Sequence, residues 1–128
     1  MRSPPSPREP GRPTDFGAAN NYAALLAELN RFEEAKSLLR EMMPVARRVL
    51  SKSHELPLRM RSVYAYSLYE DPAATLDDLR EAVTTLEEMT RTARRVFGGA
   101  HPIAVEIEKA LRLARAALRA REETPSGG

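Results

Sequence analysis

Along the middle of this chain apolar residues recur at spacings of three and four, and no alternating Val/Ile/Thr-rich run is long enough for a strand, so the pattern is helical. Five segments emerge, set off by Asn30-Arg31, Ser51 to Glu55, Asp71-Pro72 and Gly98-Gly99-Ala100. The first, 16–29, places Tyr22, Leu25, Leu26 and Leu29 on one face. The second, 32–51, does the same with Phe32, Ala35, Leu38, Leu39, Met42, Ala46 and Val49. Its stripe passes Pro44, which removes a backbone bond and predicts a kink or break at a cost of about 3 kcal/mol. The third, 56–70, aligns Met60, Val63, Tyr64, Ser67 and Leu68. The fourth, 74–97, opens on Thr75-Leu76-Asp77-Asp78, carries Leu76, Leu79, Val83, Leu86, Met89, Ala93 and Val96, and leaves through Gly98-Gly99, which predicts a left-handed cap. The fifth, 102–122, sets Ile103, Ile107, Ala110, Leu111, Ala114 and Leu118 against a charged face of Glu106, Glu108, Arg112, Arg115 and Arg119, as suits a helix closing a stack.

Two stretches echo one another. Val45-Ala46-Arg47-Arg48-Val49-Leu50-Ser51-Lys52-Ser53-His54 returns 47 residues on as Thr92-Ala93-Arg94-Arg95-Val96-Phe97-Gly98-Gly99-Ala100-His101. Self-similarity at such a spacing marks a stacked repeat. The short helices align at a smaller offset, since Tyr22-Ala23 and Leu26 match Tyr64-Ala65 and Leu68 42 residues on. Phe32, Ala35, Leu39 and Met42 match Leu79, Ala82, Leu86 and Met89 at 47. The five extra residues therefore fall in Asp71-Pro72-Ala73-Ala74-Thr75, a loop where an insertion leaves helix packing intact. Ala23, Ala35, Ala65 and Ala82 then sit where helices cross, and Tyr22, Leu26, Phe32, Leu39, Tyr64, Leu68, Leu79 and Leu86 fill the volume between. A large residue at Ala35 or Ala82 should overpack a hairpin by roughly 1–3 kcal/mol.

This 42-residue helix-turn-helix unit resembles the tetratricopeptide repeat, in the long form found in kinesin light chains. The resemblance is carried by Asn20-Asn21-Tyr22-Ala23, by Asn30-Arg31-Phe32-Glu33-Glu34-Ala35-Lys36-Ser37-Leu38-Leu39, and by Arg47-Arg48-Val49-Leu50-Ser51-Lys52-Ser53-His54, and covers about 17 to 122. It implies an all-α, tetratricopeptide-like α-solenoid of two antiparallel helix hairpins plus a C-terminal capping helix. The units are then repeat 1 at about 16–53, repeat 2 at about 54–100 and the cap at about 102–122, within a repeat domain of 15–122. Arg112 and Arg115 stand where Ala23 and Leu26 stand in the first unit, so no further hairpin packs there. About two and a half units are near or below the three usually needed, which leaves a marginal monomer, a self-paired chain or a fragment of a longer array.

The resemblance also implies a function. In the family the first helix of each unit lines a concave surface that holds extended peptides, and mapped here its outward positions are Asn20, Asn21, Ala24, Ser62, Tyr66, Tyr69, Lys109 and Leu113. Asparagine can both donate to and accept from a peptide backbone, and Tyr66 with Tyr69 would form an aromatic shelf or else cover the joint with the next hairpin. The expected partner is another protein or peptide, with self-association through an end hairpin as the alternative.

Composition narrows the classes. Residues 1–14 hold Pro4, Pro5, Pro7, Pro10 and Pro13 and read as a disordered arm, and 123–128 as a frayed tail. Cysteine is absent, which removes disulfides and thiolate chemistry; no apolar run approaches a membrane span and no secretory signal opens the chain, so a soluble, cytoplasmic protein is expected. Net charge is only +2, from 20 basic and 18 acidic residues, so nucleic-acid binding through Arg47, Arg48, Arg91, Arg94 and Arg95 is disfavoured.

Little in the chain reads as chemistry. His54 and His101 hold equivalent positions in two repeats, as a helix-starting or loop-packing role predicts, and no metal-ligand cluster accompanies them. The pairs Glu33-Glu34, Asp77-Asp78 and Glu87-Glu88 point about 100° apart along a helix and cannot converge as acid and base, which leaves them as solvated faces. Neither a nucleophile motif nor a phosphate loop occurs, so the expectation is a non-catalytic module with no cofactor.

Overall fold

Asp15 caps the first helix by accepting the Ala18 N–H on its side chain at 2.9 Å, and the computed structural model describes residues 15–50 and 55–123. The predicted arm 1–14, residues 51–54 with His54, and 124–128 of the predicted tail lie outside the described residues, while Glu123, expected in the tail, is the last residue of the closing helix. Five helices and no strand occur among those described: α1 (Phe16–Glu28), α2 (Phe32–Val49), α3 (Glu55–Tyr69), α4 (Leu76–Phe97) and α5 (Pro102–Glu123). Successive helices pack antiparallel, and α1 also touches α3, as α3 touches α5. This is the all-α, tetratricopeptide-like solenoid, two hairpins and a closing helix.

Local chemistry explains each boundary. α1 ends in a Schellman motif: Asn30 takes a left-handed φ of 63°, its N–H reaches the Ala27 carbonyl at 3.0 Å, and the Arg31 N–H reaches that of Leu26 at 2.8 Å. α4 starts with a reciprocal capping box, Asp78 N–H to Thr75 Oγ1 and Thr75 N–H to Asp78 Oδ2, both at 3.0 Å. At its far end the expected left-handed cap does not form. Gly98 has φ 89° with ψ 153°, an extended positive-φ conformation that suits glycine and redirects the chain towards α5. There Pro102 takes the first helical position, and His101 Nδ1 accepts the Ile103 N–H at 3.1 Å while its ring lies 4.7 Å from that of Phe97.

Pro44 does not break α2, which is helical from Phe32 to Val49. Both Pro44 and Arg40, whose carbonyl it leaves without an amide donor, are exposed, so water can serve that oxygen while Met42 and Ala46 hold the helix to the core.

At the crossings, Ala23, Ala35, Ala65 and Ala82 are wholly excluded from solvent, as are Leu39, Leu58, Met60, Leu86 and Met89. Leu26, Phe32, Tyr64, Leu68 and Leu79 are also buried. Tyr22 corrects the packing expectation: it is 55% exposed, beside exposed Leu25 and Leu29. The face of α1 that enters the core is Phe16, Asn20, Ala23, Leu26 and Ala27 instead, because the helix needs small residues at its crossings. Val49 and Val96, expected in the stripes of α2 and α4, are likewise exposed at the helix ends.

The five-residue insertion is tied down. Asp71 accepts the Ala73 N–H at 2.9 Å, Ala74 is buried, and the Asp71 carboxylate lies 3.9 Å from the Nζ of Lys36, a buried lysine of α2 that also meets Glu33 at 2.7 Å. Desolvating the ammonium is offset by these two carboxylates.

Candidate functional site

The parallel helices α1 and α3 share one face of the solenoid, and between their C-terminal halves lies an open pocket of about 240 Å³. Its lining is Ala24, Ala27 and Glu28 from α1 with Ser62, Val63 and Tyr66 from α3. Ala24, Ser62 and Tyr66 were the outward positions expected there. Ala27, Glu28 and Val63 were not, although Glu28 follows Ala24 by four residues and so continues its row.

The other expected groove residues separate. Asn21 is exposed on α1, and Lys109 and Leu113 are exposed on α5, outside the pocket lining. Asn20 is not outward at all: it is 8% exposed, and its Oδ1 is buried without a hydrogen-bond partner among the described residues. Tyr69 is not a shelf either, being buried with its ring edge-on to that of Tyr66, centroids 5.7 Å apart. It belongs to the main buried core, which leaves Tyr66 as the aromatic wall. Tyr66 also rests on the small cluster of Leu26, Ala27, Phe32 and Ala35, so its ring is held by packing on one side and open on the other.

The electrostatics around this wall are acidic. Burial, then the carboxylates of Glu70 and Glu28, push the Tyr66 phenol above its ordinary range. Burial, with Glu70 and Tyr66 behind it, pushes Tyr69 up to about 12. Neither α1 nor α3 has a basic residue in its last turn, whereas α2 ends with Arg47 and Arg48, α4 with Arg94 and Arg95, and α5 with Arg121.

Elsewhere the paired acids diverge to separate partners and do more than meet solvent. Glu33 bonds Lys36 and Glu34 bonds Arg31; Asp77 meets Arg80 while Asp78 caps α4. Glu87 reaches Arg115 of α5 and Glu88 reaches Arg61 of α3, each at 3.0 Å, so this pair braces α4 on both sides. Glu108 grips Arg94 with both oxygens, at 2.8 and 3.0 Å, which takes one arginine out of the basic surface considered for nucleic acid. No group of three or more His, Asp or Glu side chains converges as a metal site among the described residues, and no helix there is long and apolar enough to cross a membrane.

Comparison with known proteins agrees with the first hairpin. Residues 17–56, from the first turn of α1 to the first turn of α3, match the family model of the tetratricopeptide repeat. No curated protein and no solved structure gives a significant match. Tetratricopeptide repeats as a class are protein-interaction modules, their stacked helices forming extended concave surfaces.

Proposed function

We propose that the chain is a non-catalytic protein-interaction module of the long, kinesin-light-chain-like repeat form, binding a peptide or partner helix along the face shared by α1 and α3. The observation that carries this reading is the 240 Å³ pocket, in which residues from two successive units, Ala24, Ser62 and Tyr66, stand around one opening. A pocket walled by a packed aromatic and floored by alanines suits an anchor side chain, and exposed Asn21 stands ready for the peptide backbone. Selecting peptides on an array with the intact chain and titrating the best of them tests this. Tyr66→Ala should weaken binding by about tenfold or more and Asn21→Ala by less, as for a hot spot and its neighbour. Unchanged affinity in both variants rejects the groove.

A second reading rests on a different surface. Tyr22, Leu25 and Leu29, 49–57% exposed and spaced three and four apart, make an apolar stripe on the outer side of α1. Such a stripe suits a further helix, from a second copy or a neighbouring repeat. Light scattering across concentration separates the readings: a monomer throughout removes self-association and leaves the groove.

A further inference from the structure

We infer that the α1–α3 pocket selects a cationic side chain, an arginine or lysine of the bound peptide, laid along the Tyr66 ring with its charge towards the Glu28 carboxylate. This rests on the peptide-binding reading above and specifies what that site recognises.

Three observations converge on it. The floor and walls, Ala24, Ala27, Val63 and the ring of Tyr66, are apolar surface against which a long aliphatic stem can lie. Among the described residues of the lining the one ionisable group besides the Tyr66 phenol is the Glu28 carboxylate, and Glu70 follows directly after the end of α3. Both α1 and α3 end here, and each directs the negative end of its helix dipole to this region without a basic residue in the last turn.

The nearby cations are already engaged. Arg31 donates to both oxygens of Glu34, Lys36 is held by Glu33 and Asp71, and Arg59 bonds Glu55 at 2.6 Å. No cation is paired with Glu28 or Glu70 among the described residues. An acidic or phosphorylated side chain would meet Glu28 and two negative helix ends. A neutral apolar one would fill the volume but make no use of the Glu28 carboxylate, which would stay hydrated. A guanidinium or ammonium satisfies the carboxylate and gains the aromatic face as well.

The probe is a randomised peptide library displayed on phage, selected against the full chain and, in parallel, against Glu28→Gln and Glu28→Arg. Glu28 is exposed, so these variants keep the fold, which circular dichroism verifies. The expected result is enrichment of Arg or Lys at one position of the peptides that compete for the pocket. Enriched peptides should bind Glu28→Gln about tenfold more weakly, lose affinity as salt rises, and give way to acidic residues at that position with Glu28→Arg. Tyr66→Leu, which keeps apolar bulk but not the π face, should also weaken the basic peptides. Peptides that occupy the pocket with an acidic or apolar anchor, indifferent to Glu28→Gln, overturn this inference while leaving the peptide groove standing. A selection whose peptides never depend on Tyr66 or Asn21 overturns both.

Discussion

Tyr69 shows how a residue legible as aromatic can be misplaced by spacing alone. Three residues after Tyr66 it lies on a neighbouring row, which suggests a common shelf, yet the offset of about 60° around the helix is enough to bury Tyr69 while Tyr66 stays partly open. That burial is measurable. With the phenol pushed from its usual 10.0 to about 12, the folded state holds the proton after the unfolded chain has lost it. The contribution to stability is therefore intact below pH 10 and falls as pH rises from there through about 12. A spectrophotometric titration of the native protein should show a late tyrosinate step near pH 12 that Tyr69→Phe removes. If the substitution leaves that step in place, the ring is not buried in solution. The crossing alanines were readable because only small side chains allow helices to touch. Asn20 was not, because a polar residue on an amphipathic helix is assigned to water until tertiary packing covers it.

At the scale of elements, helix ends were nearly all visible in the sequence, since Thr75 with Asp78 and Asn30 with Arg31 carry their capping chemistry in their own side chains and backbone. The face presented by α1 was not visible. Tyr22-Ala23-Ala24-Leu25-Leu26-Ala27 is apolar without interruption, so periodicity does not choose between its sides, and the choice falls to the alanines that must meet α2 and α3. The contacts between elements were also hidden, because an acid such as Glu108 meets its arginine only after α4 and α5 fold back on one another. The Arg94 guanidinium, chiefly through its hydrogen bonds, holds the Glu108 carboxyl below the usual 4.5. With the folded pKa depressed, this tie contributes above the ordinary carboxylate range and is lost as pH falls through the folded value. Thermal unfolding of the wild type and Glu108→Gln should thus differ modestly at neutral pH and converge in acid, the gap also narrowing with salt because the pair is exposed. A gap that widens in acid would assign Glu108 a different role.

For the whole molecule, the insertion in the second hairpin and the position of α3 decide how the stack holds together. Lys36 and Asp71 tie the inserted loop to α2, across the boundary between units, so the extra residues lengthen the connection into α4 without loosening the array. α3 packs against α1, α2, α4 and α5 alike, and its Leu58 and Met60 are fully buried. In a stack where each element touches only near neighbours, stability is the sum of such interfaces, and the element shared by both hairpins carries the cooperativity. Leu58→Ala should therefore cost about 2–5 kcal/mol, as cavities in packed cores do. Its deficit should appear alike in the amide exchange of α2, α3 and α4, since opening α3 removes a face from each. Leu29→Ala, on a side chain 57% exposed, should change stability by less than about 0.5 kcal/mol. Hydrogen exchange read helix by helix decides the matter: if Leu58→Ala accelerates exchange in α3 and α4 but not in α2, the two hairpins are stable separately and the peptide face between α1 and α3 is a hinge; if exchange rises in all three together, that face is one rigid surface, as selecting a single side chain in its pocket requires.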